Sequence, residues 1–316
     1  MTGIDRVDGK LVFVGVATED AIALVPRYPG ADERVVADEI LFAGGGPAAT
    51  AAVAAARLGV PSAVVASVGD DEEGTKIIRD LEAEGVDISA VIRVPGGRSA
   101  RSLVVISNDL KTRAISNRPG PRLGLENRTA AQALMADASW VHVDQHGWAE
   151  VRTHLDGIKN PPRLSVDAGN PIAGFTVANT ALYVPTQKAL LERYASSTLS
   201  NDIRALLRRA VADGAGMAVA TSGGGGSFAM TQDGELLQAR VPATEIISTL
   251  GAGDVFHGAL LAGLVHAERG NLPGGISQVI AYATIVASLS CRGIDGRSQI
   301  PSHDQTMLVL ADMAKS

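Results

Sequence analysis

The chain has 316 residues, of which 46% are hydrophobic and 20% are charged, and its formal net charge is −6. This composition supplies the core of one large α/β domain and excludes an intrinsically disordered chain. The negative charge argues against nucleic acid as the main partner. The sequence has no apolar run of ~18 residues and no secretory signal, and Cys291 is its one cysteine. These features predict a soluble, cytoplasmic protein without a membrane contact.

Short β-rich runs alternate with helical stretches along the chain, a pattern typical of βαβ units in a mainly parallel sheet. Strands are predicted near residues 11–17, 62–69, 139–144, 163–169 and 216–222. Helices are predicted at 47–59, 74–85, 128–137, 202–214 and in two apolar runs after residue 251. Residues 20–42 and 91–117 show extended patterns without helices, so we expect them to pair as a small sheet over one main domain.

The first glycine-rich turn, "AGGGPAAT", runs into an alanine-rich helix in which Pro47 suits the first turn. Gly44, Gly46 and Ala49 satisfy the dinucleotide fingerprint, with Asp70 about 20 residues further on. This match would suit a nicotinamide-dependent dehydrogenase. The alternative is a turn whose glycines only allow close helix packing.

The second turn, "ATSGGGGSF", follows an apolar strand and leads into another strand. It therefore lacks both the Walker pattern and the dinucleotide pattern, which require a following helix. The sequence leaves two alternatives open, a hairpin with a flexible tip and a backbone surface that lies along a nucleotide.

The third turn, "STLGAGDVFHGAL", places Ser248 and Thr249, both good helix caps, before an apolar helical run. Gly251 and Gly253 expose the backbone amides of the first turn, where the helix dipole favours an anion. Asp254 follows at once. It either complements the dipole or accepts a proton from a hydroxyl group that attacks a bound phosphoryl group.

Together these segments resemble the ribokinase (PfkB) family of sugar kinases. "TLGAGDVFHGAL" is similar to its C-terminal signature, and "AGGGPAATAAVAAARLGVPSAVVASVGDDEEG" to its N-terminal signature. Thr221, Gly223 and Gly226 match its Thr-x-Gly-x-x-Gly loop. The resemblance runs from about residue 12 to Pro301. It implies a three-layer, Rossmann-like α/β domain with a β-sheet lid, and a homodimer formed through the lid.

The resemblance also implies ATP and Mg²⁺ as cofactors, with Mg²⁺ arriving on ATP, and makes Asp254 the catalytic base. The other residues that it assigns are Gly251, Ala252 and Gly253 in an anion hole, Thr221, Gly223 and Gly226 along ATP, and Asp20, Gly45, Gly46 and Thr50 facing the sugar. The six histidines show no metal-binding spacing, so no structural metal site is predicted, and His257 is predicted to be a packed helix histidine.

Three positions depart from the family pattern. Ser248 replaces the leading aspartate of the C-terminal signature. The Asn-x-x-Glu motif, tied to magnesium and phosphate handling, is replaced by Val184-Pro-Thr-Gln187. Thr50 stands where the family carries a sugar-contacting asparagine, which favours a substrate unlike ribose. The loss of Asn-x-x-Glu leaves a non-catalytic sugar sensor as an alternative to an enzyme.

Two subgroups of the family share stretches with this chain. "VGVATEDAIALVPRYPGADE" is similar to the start of ketohexokinases, whereas "GAGDVFHGAL" and "GRSQIPSHDQT" are similar to sulfofructose kinases. Arg34 and Asn117 align with lid residues of the latter, and Arg118 and Arg101 lie nearby. This cluster predicts that the lid binds an anionic ketose, best represented by 6-deoxy-6-sulfofructose. Gln145-His146-Gly147 replaces the Arg-Trp-His run of those kinases, so a neutral ketose stays the alternative.

Overall fold

The computed structural model of the protein describes residues 9–194 and 202–315. The strands are β1 (Leu11–Val14), β2 (Thr18–Val25), β3 (Glu39–Gly45), β4 (Ser62–Val65), β5 (Ser67–Gly69), β6 (Ile92–Val94), β7 (Arg101–Ser107), β8 (Thr112–Arg118), β9 (Trp140–Val143), β10 (Arg163–Asp167), β11 (Thr180–Val184), β12 (Ala215–Thr221), β13 (Ser227–Met230) and β14 (Leu236–Ala239). The α-helices are α1 (Pro47–Arg57), α2 (Glu72–Ala83), α3 (Thr129–Ala136), α4 (Trp148–Leu155), α5 (Gln187–Tyr194), α6 (Ile203–Ala212), α7 (Ala252–Glu268), α8 (Gly275–Ser290) and α9 (His303–Met313).

The main sheet has eight strands in the order β14-β13-β12-β11-β10-β9-β1-β4. The six strands from β12 to β4 are parallel, and β13 and β14 continue the sheet as antiparallel strands. The β1 sequence, Leu-Val-Phe-Val, is fully buried because helices cover both faces of the sheet. Phe13 points into a core with α1, α7 and α8, whereas Val12 and Val14 point into a second core with α3, α4 and α6. The predicted three-layer α/β fold is confirmed.

A second sheet, in the order β3-β2-β7-β8, lies at one edge of this domain, and we call it the lid sheet. Its parallel β2–β7 pair joins the two extended regions of the sequence, as expected. Ile22, Val104 and Ile106 on its inner face pack against Leu250 and Ile294, next to the start of α7. The lid sheet therefore covers the turn that carries the third glycine-rich motif.

Some element boundaries differ from the sequence prediction. Residues 92–94 pair with β5 and not with the lid sheet, and the predicted strand 62–69 is divided into β4 and β5. β11, β14, α4, α5 and α9 were not predicted, because each is too short, or too mixed in polarity, for a clear period. No helix within the described residues is both long enough and apolar enough to cross a membrane.

Candidate active site

The site is built around the N-terminus of α7. Gly251 precedes the helix with a left-handed φ of 71°, and a Cβ atom there would lie 2.9 Å from the Cα atom of Gly296, so the turn requires glycine. Gly253 has open space in front of it, because an added Cβ would meet no atom within 4 Å. Ala252 lies between them at the first helical position. The free amides of the first turn and the helix dipole therefore face an opening that suits an anion.

Asp254 lies half-buried beside this opening, in the first turn of α7. Burial raises its pKa to about 7, and the negative charge of Asp167 acts in the same direction, while the charges of His257 and Arg113 oppose the rise. The carboxyl group is therefore partly ionised at neutral pH. A group with this pKa is well matched to accept a proton from a hydroxyl group under physiological conditions.

A buried ion pair lies one turn further along α7. His257 Nε2 is 3.2 Å from Asp167 Oδ1, and both side chains are buried. Burial disfavours both charges, but their mutual attraction outweighs it, so the pKa of His257 is raised and that of Asp167 is lowered to about 2. Burial and the charge of His257 lower the pKa of the neighbouring His142 to about 3. His257 is packed, as predicted, and is also a charged neighbour of Asp254.

A cavity of about 970 Å³ opens in front of α7. Thr221, Gly223 and Gly226, the residues predicted to lie along a nucleotide, line it together with Ala252 and Gly253. Residues of α5, of α8 and of the loop 241–246 also line it. The second and third glycine-rich turns therefore share one continuous space of the size that ligand pockets have.

The second glycine-rich turn is the tip of a hairpin. β12 and β13 are antiparallel, and Gly223–Gly225 form a single 3₁₀ turn between them. Gly226 has a φ of 83°, and a Cβ atom there would lie 2.0 Å from the carbonyl oxygen of Ala239. The turn is thus held against β14 and presents its backbone to the cavity.

The segment Val184 to Gln187 joins β11 to α5 at the edge of this cavity. Thr186 and Gln187 line the cavity, and the Ser222 hydroxyl donates a hydrogen bond to Gln187 Oε1. Within the part of the chain that the structure describes, no three histidine, cysteine, aspartate or glutamate side chains are arranged to hold a metal ion. Hydroxyl and amide oxygens are compatible with a magnesium ion that keeps its water and phosphate ligands, but they form no protein cage for it.

The predicted sugar-facing residues meet where β2 and β3 join the main domain. Asp20 is buried, accepts a hydrogen bond of 2.7 Å from Thr18 Oγ1, and has a pKa raised by burial. A Cβ atom on Gly45 would lie 2.0 Å from Asp20 Oδ2. Gly46 caps α1 with a φ of 89°. Asp20 and the glycine turn are therefore in close contact, as is necessary if they bind one ligand together.

Thr50, in α1, is buried next to an arginine that the sequence analysis did not select. Arg297 Nε donates to Thr50 Oγ1 at 3.2 Å, and Arg297 Nη2 donates to the carbonyl oxygen of Gly45 at 2.8 Å. The contact of Thr50 with a sugar stays a prediction, since in this structure its hydroxyl accepts from Arg297. No local pattern marks Arg297, because the contact joins residues 247 positions apart.

A second cavity, of about 210 Å³, lies between the lid sheet and the ends of β1 and β5. Asn117 and Arg118 line it together with Thr18, Arg122 and His146. Arg118 Nη2 donates to the carbonyl oxygen of Ser99 at 2.8 Å, whereas Arg118 Nε is buried without a hydrogen-bond partner in the described structure. The two predicted residues thus lie together, with donor capacity to spare.

The other two arginines of the predicted anion cluster do not line this cavity, although Arg101 is the cross-strand neighbour of Arg118. Arg34 is exposed in the loop between β2 and β3 and does not line the 210 Å³ cavity. Arg101 forms ion pairs with Glu19 at 2.9 Å and Glu73 at 2.8 Å, and its guanidinium carbon lies 5.5 Å from the centre of the Phe42 ring. Its charge is therefore neutralised within the protein, and the expectation that Arg101 strengthens the anion cluster is wrong.

Arg113 is a further residue that the sequence analysis missed. It extends from β8 to the α7 turn, where Nη1 donates to Thr249 Oγ1 at 2.8 Å, and it lines the same cavity as Gly253. Arg113 and Asn117 are four residues apart in one strand and so share a face of the lid sheet. The four-residue spacing between Arg113 and the predicted Asn117 is the signal from which Arg113 could have been identified.

Known proteins resemble this chain in sequence and in fold. The sequence model of the pfkB family of carbohydrate kinases matches residues 8–155 and 184–302. The 1-phosphofructokinase of Rhodobacter capsulatus is 30% identical over 78% of this chain and 80% of its own length. The ketohexokinase of Mus musculus is 24% identical over 91% of this chain and 98% of its own. The solved structure of Arabidopsis thaliana ribokinase, complexed with ribose and ATP, has a TM-score of 0.80 and 20% identity over 96% of this chain and 98% of its own.

Proposed function

The chain belongs to the pfkB family of carbohydrate kinases, and we propose that its site transfers the γ-phosphoryl group of ATP to a primary hydroxyl group of an anionic ketose. As a member of that family it is an ATP-dependent sugar kinase, a phosphotransferase with an alcohol group as acceptor. The proposal adds the roles of its residues and the class of sugar. The observation that carries it is the cavity that Thr221, Gly223 and Gly226 line together with Ala252 and Gly253, the two residues that immediately precede Asp254 in α7.

ATP would lie along Thr221, Gly223 and Gly226, with its γ-phosphoryl group against the amides of Gly251 to Gly253. When bound with ATP, Mg²⁺ would neutralise phosphate charge. The free amides and the α7 dipole stabilise the charge that develops on the equatorial oxygens. Thr186 and Gln187, which line the cavity, provide neutral oxygen atoms for the complex of Mg²⁺ and ATP.

Asp20, Gly45 and Gly46 would hold the sugar with its primary hydroxyl near Asp254. Asp254 accepts the hydroxyl proton while the sugar oxygen forms a bond to the γ-phosphorus and the bond to the leaving ADP oxygen breaks. Arg113 extends from the lid sheet to this place, so its charge is available to the transferred group when the lid sheet covers the turn.

The dehydrogenase and the sensor considered from the sequence are less well supported. A Cβ atom on Gly44 would lie 2.2 Å from Arg297 Nη1, so this glycine accommodates a side chain of the protein, where the dehydrogenase hypothesis needs it to admit a cofactor. A sensor has no need of a carboxyl group whose pKa lies near 7 beside an anion hole. The kinase uses both features.

The proposed substrate class rests on the 210 Å³ cavity next to Asp20 and Thr18. Arg118 has a buried Nε without a partner among the described residues, Asn117 adds an amide donor, and the side chain of His146 is close by. A terminal sulfonate or phosphate group would supply the missing acceptors through charge-assisted hydrogen bonds. The name of the 1-phosphofructokinase relative also points to a phosphorylated ketose. We propose 6-deoxy-6-sulfofructose as the best representative and a neutral ketose as the alternative.

We expect 6-deoxy-6-sulfofructose to have a kcat/KM at least about 10²-fold higher than that of fructose, because two charge-assisted bonds add about 3 kcal/mol or more. Arg118→Gln should remove most of this preference while leaving the kcat/KM for fructose within a few fold. Arg34→Ala tests the contribution of the exposed lid arginine. The measurement is steady-state ATP consumption with both ketoses.

Arg79→Gln is the matched control, since Arg79 is an exposed arginine that pairs with its neighbour Asp80. It should leave the preference unchanged. If the wild-type protein uses fructose as efficiently as the sulfosugar, the anionic substrate is wrong, and the ketohexokinase-like alternative replaces it.

We also propose that two copies of the chain associate through the outer face of the lid sheet. The register aligns Phe42, Ala21 and Leu103 across three strands of this face, and Phe42 and Leu103 are more than half exposed. An apolar face of this kind is covered by an identical face in a two-fold dimer. A second copy therefore fits the patch without any further partner.

Phe42→Glu should convert a dimer into a monomer in sedimentation-velocity experiments, because it places charges in the centre of the interface. Leu308→Glu is the control: Leu308 is 69% exposed on α9, away from the lid sheet, and its substitution should leave the mass unchanged. A monomeric wild-type protein at micromolar concentration would contradict the proposed dimer.

A further inference from the structure

Arg297 is a buried cation that the described structure leaves incompletely paired. It is 7% exposed, and no carboxylate of the described residues forms an ion pair with it. Two of its side-chain nitrogens donate to neutral oxygens, those of Thr50 and Gly45, and Nη1 has no partner among the described residues. Nη1 is not fully enclosed by the described residues, so a bound molecule can accept a hydrogen bond from it.

The position of this guanidinium is that of the proposed sugar site. It is held by the carbonyl oxygen of Gly45 and the hydroxyl of Thr50, both on the wall assigned to the sugar. The negative charges of Asp20 and Asp254 both act on it. Arg297 is therefore an electrostatic neighbour of both carboxyl groups that the proposed function uses, those of Asp20 and Asp254.

The loop of Arg297 does not depend on the guanidinium for its shape. Asp295 Oδ1 accepts from the backbone N–H groups of Arg297 and Ser298, both at 2.7 Å, and Arg57 Nη1 donates to the carbonyl oxygen of Arg297. The backbone is thus anchored from two sides. The guanidinium is therefore not needed to hold the loop, and Nη1 is available to contact a ligand.

We propose that Arg297 is a substrate-contacting residue that donates hydrogen bonds from Nη1 to an oxygen atom of the acceptor sugar, with Thr50 orienting its side chain. This inference rests on the proposed kinase function and extends it to a residue outside the recognised motifs. It also gives Thr50 a purpose: the hydroxyl accepts from Arg297 Nε and so directs the fork of the guanidinium towards the sugar. The recognised group is a hydroxyl or carbonyl oxygen at the reacting end of the ketose, opposite the end that faces Arg118.

The test compares KM for sugar and for ATP, using whichever of fructose and 6-deoxy-6-sulfofructose gives the higher kcat/KM. Arg297→Gln should raise the KM for this sugar by about 10- to 100-fold, the loss of one or two charge-assisted hydrogen bonds, and should leave the KM for ATP within about threefold. Thr50→Val should raise the same KM by about 3- to 10-fold, the loss of one orienting hydrogen bond. In the double variant the Thr50 effect should vanish, because nothing remains to be oriented.

Arg57→Gln is the matched control, because it removes the anchor of the same loop without touching the guanidinium of Arg297. It should lower Tm without raising the KM for sugar more than about twofold to threefold. Calorimetric titration of each variant with the same sugar provides a binding measurement that is independent of turnover.

Three outcomes separate the possibilities. A selective rise in the sugar KM of Arg297→Gln, absent in Arg57→Gln, supports the contact. Equal changes in both variants, or an unchanged sugar KM in Arg297→Gln, would overturn it. A wild-type protein that consumes ATP with neither ketose would overturn the proposed function itself, which the variants do not test.

Discussion

Asp254→Asn should lower kcat by ~10² to 10⁴-fold, the range that general-base catalysis contributes, while both KM values change by no more than a few fold. Asparagine keeps the shape and the hydrogen-bonding capacity of the side chain but cannot accept the proton of the attacking hydroxyl group. Binding therefore survives and the chemical step fails. Single-turnover measurements with saturating ATP and sugar would isolate this step.

The pH dependence provides a second test of Asp254. Its pKa of about 7 means that the carboxyl group is protonated below neutrality and ionised above it. The kcat/KM of the wild-type protein for the sugar should therefore rise with pH through about 7 and reach a plateau above it, because kcat/KM follows the ionisation of the free enzyme. The residual activity of Asp254→Asn should lack this rise.

The same pKa predicts an effect on stability. The pKa of Asp254 is raised in the folded state above the value of about 3.9 in an unfolded chain, so its ionisation costs the folded state stability as pH rises between these values. Asp254→Asn removes this cost. Its Tm should exceed that of the wild type at pH 8 and approach it at pH 4.

Asp304→Asn is the control, because Asp304 also lies in the first turn of a helix, α9, where it only complements the dipole. It should leave kcat unchanged. Near-normal turnover of Asp254→Asn would mean that Asp254, like Asp304, only complements the helix dipole and that another residue is the base.

Gly253→Val should abolish activity, with kcat/KM lowered by more than about 10²-fold, the scale on which removal of one donor from an oxyanion hole acts. An added Cβ at Gly253 would meet no atom within 4 Å, so we expect the protein to accommodate a valine there, with its side chain in the proposed position of the phosphoryl group. Gly253→Ala should give an intermediate loss because its side chain is smaller. ATP consumption with a saturating ketose measures both.

Gly157→Val is the matched control, because it makes the same change of glycine to valine, with the same loss of backbone freedom and gain of side-chain volume. Gly157 is exposed after α4, and an added Cβ would make only an ordinary contact of 3.5 Å with the carbonyl oxygen of His154. Its activity should equal that of the wild type. If Gly253→Val folds with a similar Tm and still transfers phosphoryl groups, the γ-phosphoryl group is held elsewhere.

The features that could be predicted from the sequence are those encoded over short distances. Residues 11–14 are apolar without interruption because both faces of β1 are covered, and this run indicates a parallel sheet in an α/β protein. Gly251 and Gly226 have positive φ angles of 71° and 83°, a local backbone conformation that favours glycine, so the glycine spacing along the chain indicates the two turns. Helix α7 and the hairpin of β12 and β13 follow from the same local patterns.

The pairing of charges was decided only by the tertiary structure. From sequence alone, Arg101 and Arg118 are equivalent lid arginines. In the folded chain Arg101 meets Glu19 and Glu73, while Arg118 keeps an Nε that has no partner among the described residues, beside a cavity. The state of His257 likewise depends on Asp167, which comes from a distant strand, β10.

The charge balance of the site therefore depends on contacts between distant segments. Thr50 and Arg297 are 247 positions apart, and Arg113 and Thr249 are 136 apart, so no periodicity or spacing rule connects them. The backbone conformation of a turn is set by its own few residues, whereas the pKa and the free donors of a side chain are set by whatever the fold packs around it. The sequence alone determined the kind of chemistry, and the tertiary structure decided which charged groups remain available to perform it.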